Sequence, residues 1–108
     1  MSGYNAGKHY LLDLKSGIYL VGKVIDASEG EIHLQEECRM GPADSSFVRS
    51  SSGAADFPTD PDTGAEIIQV SDIIRHWEFK ESPYDEVFDM SREGLFALLK
   101  KASNGVSL

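Results

Sequence analysis

Gly22 is the residue that most restricts what this chain can become. It stands inside an apolar run, Ile18-Tyr19-Leu20-Val21-Gly22-Lys23-Val24-Ile25. Both parities of the run carry apolar side chains: Ile18, Leu20 and Val24 on one, Tyr19, Val21 and Ile25 on the other. With a side-chain period of two, such a strand is covered by protein on both faces. A glycine in its interior marks a sharp bend, or a place where another backbone comes close. A strand bent at its middle serves two sheets at once, which is how small barrels close. The turn Ser28-Glu29-Gly30 then leads into Glu31-Ile32-His33-Leu34-Gln35, where Ile32 and Leu34 alternate inward.

The flanking sequence extends this hairpin into a meander over residues 8–40. Lys8 to Leu14 alternates Tyr10, Leu12 and Leu14 against His9, Leu11 and Asp13, which predicts a first strand. Lys15-Ser16-Gly17 is its hairpin loop, with glycine where positive φ is expected. The second strand runs over 18–27 and the third over 31–39. Residues 1–7 carry no apolar pattern and are expected to fray.

Composition changes at Gly41. Residues 41–65 hold Pro42, Pro58 and Pro61 among many Ser, Asp and Gly. A stretch this polar does not order by itself and is too long for a tight connection, so it reads as a functional, partner-ordered or inserted loop. Phe47, Val48 and Phe57 are the groups that tack it to the body or prolong the neighbouring strands. Residues 66–80 predict two more strands, Glu66–Val70 and Ile73–Phe79, joined by a one-turn corner at Ser71-Asp72, with Ile73, Trp77 and Phe79 toward the core. Residues 81–108 form a C-terminal extension. Tyr84–Met90 is an irregular or one-turn wrap. Ser91 is a candidate N-cap, with Glu93 in the first turn. Leu95, Phe96, Leu98 and Leu99 form the apolar stripe of a helix near 91–102, with Lys100 and Lys101 at its negative end and Asn104-Gly105 as a stop.

The chain has 108 residues, the size of a single domain, here 1–108. Its formal charge is −8, from 18 acidic and 10 basic residues. That argues against general duplex-DNA binding, which draws its affinity from Lys and Arg on phosphates. It leaves room for a local single-strand site built on stacking. The lone Cys38 permits no internal disulfide and suits a reducing compartment. No apolar run is long enough for a membrane span and the N-terminus shows no signal-peptide core, so a cytoplasmic protein is expected. His9, His33 and His76 fall on separate predicted strands without zinc-ligand spacing. Asp60-Pro61-Asp62-Thr63-Gly64-Ala65-Glu66 has neither the glycine nor the glutamate spacing of an EF-hand, and reads as a solvated acidic loop. There is no phosphate-cradling glycine loop, serine elbow or paired-carboxylate motif. No enzyme, no metal and no cofactor are expected.

Gly17, Gly22, Val24, Asp26, Ile32 and Leu34 together resemble the first motif of the Sm/LSm family, and the resemblance extends over about residues 8–80. The long loop falls where that family varies, and Ile67–Phe79 takes the place of its second motif. Two signature elements differ: Ser28-Glu29-Gly30-Glu31 stands where an Asn is usual, and Ser71-Asp72 replaces an Arg-Gly corner. The resemblance is to a divergent branch of the kind phages and marine bacteria carry, which would place a phage-encoded copy in the host cytoplasm. It implies a mainly β fold: a five-stranded, strongly bent SH3-like small barrel, with the long loop between strands three and four and a C-terminal helix. It also implies a closed ring of about five to eight copies, in which Ile67–Val70 pairs with Ile74–Phe79 of a neighbour. The subunit-interface residues would be Ile67, Ile68, Val70, Ile74 and His76. RNA or single-stranded DNA would be held by Ser28, Gly30 and Ser71, supported by Arg75 and His76. The alternative is a structural or protein-interaction ring, contacting a partner through the 41–65 loop or the C-terminal helix. A further alternative is a monomeric SH3-like barrel whose edges are capped within the chain, by residues 84–99.

Overall fold

The computed structural model describes residues 3–49 and 57–103, and the expectations for residues 1–2, 50–56 and Asn104-Gly105 lie outside it. The strands are β1 (His9–Leu14), β2 (Tyr19–Ala27), β3 (Glu31–Met40), β4 (Val48–Arg49), β5 (Glu66–Gln69) and β6 (Ile73–Glu78). A 3-10 turn, Val70–Asp72, joins β5 to β6, and helices α1 (Tyr84–Val87) and α2 (Arg92–Ser103) follow. All strands belong to one antiparallel sheet in the order β4-β3-β2-β1-β6, with β5 paired to the other half of β3. The sequence reading anticipated these strands apart from β4, which is two residues of the polar loop held against Cys38 and Arg39.

The sheet curls strongly. The Val70 amide donates to the Gly30 carbonyl, beyond one end of β2, and the Lys15 amide donates to the Asp72 carbonyl, beyond the other. Residues 70 and 72 are no more than ~7.6 Å apart, whereas a straight strand as long as β2 spans roughly 30 Å. The ends of β2 can meet one corner only if the strand bends back. Register shifts between Val21 and Lys23 and between Val24 and Asp26 supply the bend. Gly22 lies at the first of them. A Cβ there would sit 2.6 Å from Leu34 Cγ and 3.0 Å from the Gln35 carbonyl oxygen. Both readings of that glycine, bend and close approach, therefore apply. The curl stops short of closure: among the described residues no ladder joins β5 to β6, and the 70–72 turn spans the gap.

Both faces of the sheet are covered, as the two-sided apolar pattern of β2 requires. The inner face packs Tyr10, Leu12, Leu14, Leu20, Val24, Ile32, Leu34 and Ile68, flanked by Phe57 and Ile73. On the outer face Leu11, Val21, Cys38 and Met40 meet Phe47, Phe79, Val87, Leu95 and Leu99. Ser91 caps α2 as its sequence position suggests, its Oγ accepting the Gly94 amide at 3.1 Å. Phe96 departs from the expected stripe. It is 47% exposed, meeting the edge of Tyr19 and lying under the Arg92 guanidinium, because the two buried leucines already fill the narrow contact of a short helix.

The N-terminus is a second correction. Tyr4 is only 9% exposed, packed edge-on against Tyr10 and over the ring of His76. The Asn5 amide donates to the Tyr10 hydroxyl at 2.7 Å, and that hydroxyl donates to Glu78 at 2.9 Å. Residues 3–7 contain a single apolar anchor, too sparse for a periodic signal, and that anchor seals the inner core.

Residues 41–49 are fastened rather than free. Phe47 is buried on the outer face, and the Arg92 guanidinium donates to the carbonyls of Gly41 and Asp44. Asp44 closes the turn by accepting the Gly41 amide at 2.8 Å.

Candidate functional site: the corner and edges of the sheet

The corner where the 28–31 turn meets the 70–72 turn is the first candidate. Ser28, Gly30 and Ser71 are exposed there, brought together by the Val70–Gly30 hydrogen bond. The Ser28 hydroxyl is within 3.4 Å of the Glu31 amide and is used within its own turn. Glu29 and Asp72 are exposed beside them, and Glu31 is half-buried. An open cleft of about 370 Å³ lies next to Asp72, lined by Leu14, Ser16, Ile18, Phe57, Pro58, Ile67 and Gln69. Among its described lining residues the only formal charge is the Asp72 carboxylate, which repels phosphate.

Arg75 and His76 do not join that corner. They are neighbours on β6 and point to opposite faces of the sheet. Arg75 lies on the outer side, 2.9 Å from the Asp13 carboxylate and over the ring of Trp77 at 5.2 Å. The Asp13 side chain is only 10% exposed, and the Arg75 guanidinium donates to it. Arg75→Ala is expected to leave that carboxylate uncompensated and cost about 1–3 kcal/mol of stability, measured by urea unfolding against Arg75→Lys. Equal stability of Arg75→Ala and wild type would return the guanidinium to the pool available for a ligand. His76 lies on the inner side, its ring 4.5 Å from that of Tyr4.

The interface residues divide in the same way. Ile68 is 1% exposed and belongs to the chain's own inner core, so it cannot meet a neighbour. Adjacent positions on a strand face opposite sides, and Ile68 takes the inward one opposite Ile32. Val70 is half-buried against the same core. Ile67 lines the cleft, and its amide donates to the Pro58 carbonyl at 2.8 Å. Thr59 bridges Glu66 beside it. The free side of β5 is therefore covered by residues 58–59. Ile74, by contrast, is 56% exposed.

The covering segment is itself pinned. His33 ring nitrogens lie 3.2 Å from both Glu31 and Asp60, and Gln35 donates to the Thr63 carbonyl. The Asp62 amide, more than any other group, holds the Asp60 carboxyl below its ordinary range. The loop resembling a cation site thus spends Asp60 on internal bonds, and among the described residues no cluster of His, Cys, Asp and Glu suits a metal. His9 meets Tyr84 edge-on, so the histidines serve three separate neighbourhoods. Burial pushes the Cys38 thiol up to about 12, which leaves it a packing group rather than a nucleophile.

Two features carried no signal in the sequence. One is the cover over β5, made by residues of a polar loop. The other is Glu37, 8% exposed at the bend of β3. Burial, together with the nearby Glu66 carboxyl, pushes its pKa up to about 9.

Fold and site define a small, mainly β protein with one curled antiparallel sheet, a helix pair on its outer face and edges treated unequally. Comparisons with protein-family models, curated proteins and solved structures found no match. No described helix is long and apolar enough to cross a membrane.

Proposed function

We propose that this chain is a non-catalytic protein-interaction subunit that docks by adding a strand to the edge of β6. The observation that carries this reading is the contrast between edges: residues 58–59 cover β5, while the described residues leave the far side of β6 unpaired. An unpaired strand edge is a template for another chain. The strand order, the glycine-centred bend and the one-turn corner support an Sm-like, SH3-like barrel as the parent architecture. A closed ring built from β5 and β6 would first have to displace the cover on Ile67. The test compares proteins that co-purify with the wild-type chain and with His76→Pro, which removes an outward amide that β1 does not use. A stoichiometric partner lost from the variant supports edge docking; equal retention overturns it.

A second reading, binding of RNA or single-stranded DNA, is favoured by the meeting of Ser28, Gly30 and Ser71 at one corner. The carboxylates of Glu29, Glu31 and Asp72, and the commitment of Arg75 to Asp13, weigh against it. Salt-sensitive oligonucleotide binding lost in Ser71→Glu would favour this second reading over the first.

A further inference from the structure

We infer that the partner recognised by the β6 edge is a second copy of the same chain, paired antiparallel about a two-fold axis at Trp77. This rests on the edge-docking reading above and goes further by naming the occupant. The Phe79 amide donates to the His9 carbonyl, so the odd-numbered backbone groups of this strand face β1. His76 and Glu78 then turn theirs outward. A register shift opposite Asp13 and Leu14 breaks the alternation near Ile74 and limits the regular run to Arg75–Phe79.

Charge selects this edge for self-contact. The chain carries −8 overall, yet residues 75–80 hold Lys80 and the Asp13-paired Arg75 against one acid, Glu78, which leaves this edge near neutral. Two copies meeting here avoid the repulsion that the rest of the surface imposes. Charge and size also select the register. An axis at Trp77 sets His76 opposite Glu78 of the second copy, twice, and Trp77 against Trp77 of the second copy where side chains come closest. An axis at Arg75 opposes two guanidinium groups, and one at His76 forces the irregular Ile74 into the ladder. Five paired residues a side make a weak, reversible contact of the small-interface class.

Sedimentation across a concentration series reads the association, and cysteine pairs read the register. Oxidising an equimolar mixture of the His76→Cys and Glu78→Cys chains is expected to give a disulfide-linked dimer. Either variant alone gives much less, because like positions are then diagonal and beyond disulfide reach. Buried Cys38 stays silent. Each chain has one tryptophan, so an exciton-coupled pair of circular-dichroism bands that grows with concentration reports Trp77 against Trp77. His76→Pro is expected to weaken association about tenfold or more. A monomer at every concentration overturns the inference, as does a dimer whose mixed cysteine variants do not cross-link preferentially. If the chain is monomeric while His76→Pro still releases a co-purified protein, the second copy is the wrong occupant and edge docking stands. If neither is seen, both fall.

Discussion

Gly22→Val is expected to leave the protein unfolded at room temperature, and Gly22→Ala to cost about 2–3 kcal/mol. The reason is contact rather than backbone angle. The first side-chain atom would stand 2.6 and 2.8 Å from Leu34 carbons and 3.0 Å from the Gln35 carbonyl. Leu34 is buried in the inner core among Leu20, Val24, Ile32 and Ile68, where close packing opposes a turn of its side chain. The carbonyl belongs to the paired backbone of β3. Relieving the clash means opening β2 from β3 at the bend, where both cores begin. Gly30 provides the control, since a Cβ there meets nothing within 4 Å. Gly30→Ala should melt within a few degrees of wild type, while Gly22→Ala should fall by about 10 °C or more. Equal melting temperatures for the two would mean that the bend does not depend on the glycine.

The second large effect is a stability that declines from weakly acidic to alkaline pH. Glu37 has a folded-state pKa raised to about 9, against about 4.3 for an unfolded glutamate. Between those values the folded chain keeps a proton that the unfolded chain has released. Linkage then lowers stability as pH rises, by up to about 1.4 kcal/mol per pH unit for one full proton. The contribution is complete below the unfolded pKa and is lost as pH climbs through the folded one. Glu37→Gln keeps the shape and removes the titration. It is expected to be about 1–3 kcal/mol more stable than wild type at pH 8 and close to it at pH 5. Urea unfolding at both values checks this, and Glu66→Gln should flatten the profile in part, because its carboxyl contributes to the shift. A wild-type stability that is flat between pH 5 and pH 8 would show that Glu37 ionises in the folded state at no cost.

Much of the sheet was legible because its signals are local. The two-sided apolar pattern of Ile18–Ile25, the glycine within it, the glycine loop at Gly17 and the short Ser71-Asp72 joint each map onto a feature of the structure. Gly17 indeed takes positive φ, at 91°. What escaped depends on partners far away in sequence. Tyr4 becomes a core residue only because Tyr10 and His76 present a gap for it. Residues 58–59 become an edge cover only because β5 lies beside them. Arg75 looked like a cation free for a phosphate until Asp13 was placed across the strand pair from it. Ile68 and Ile67 are chemically alike, and only the register of β5 against β3 decides which is core and which lines the cleft. Sequence spacing carries periodicity well and long-range pairing poorly, so the strands were legible where the partners of the candidate site residues were not.

The fastening of the polar loop also bears on how the chain is made. Its turn at Gly41–Asp44 precedes its fastener, Arg92, by about half the length of the protein. The outer core has the same asymmetry: Leu11, Val21, Cys38 and Met40 wait for Val87, Leu95 and Leu99. During synthesis the meander therefore leaves the ribosome with its inner residues able to gather while the cover of its outer face stays incomplete until Leu95 and Leu99 of α2 follow. A nascent chain stopped before α2 would display that greasy surface to the cell, and chaperone capture at this stage should end when the C-terminal helix is released.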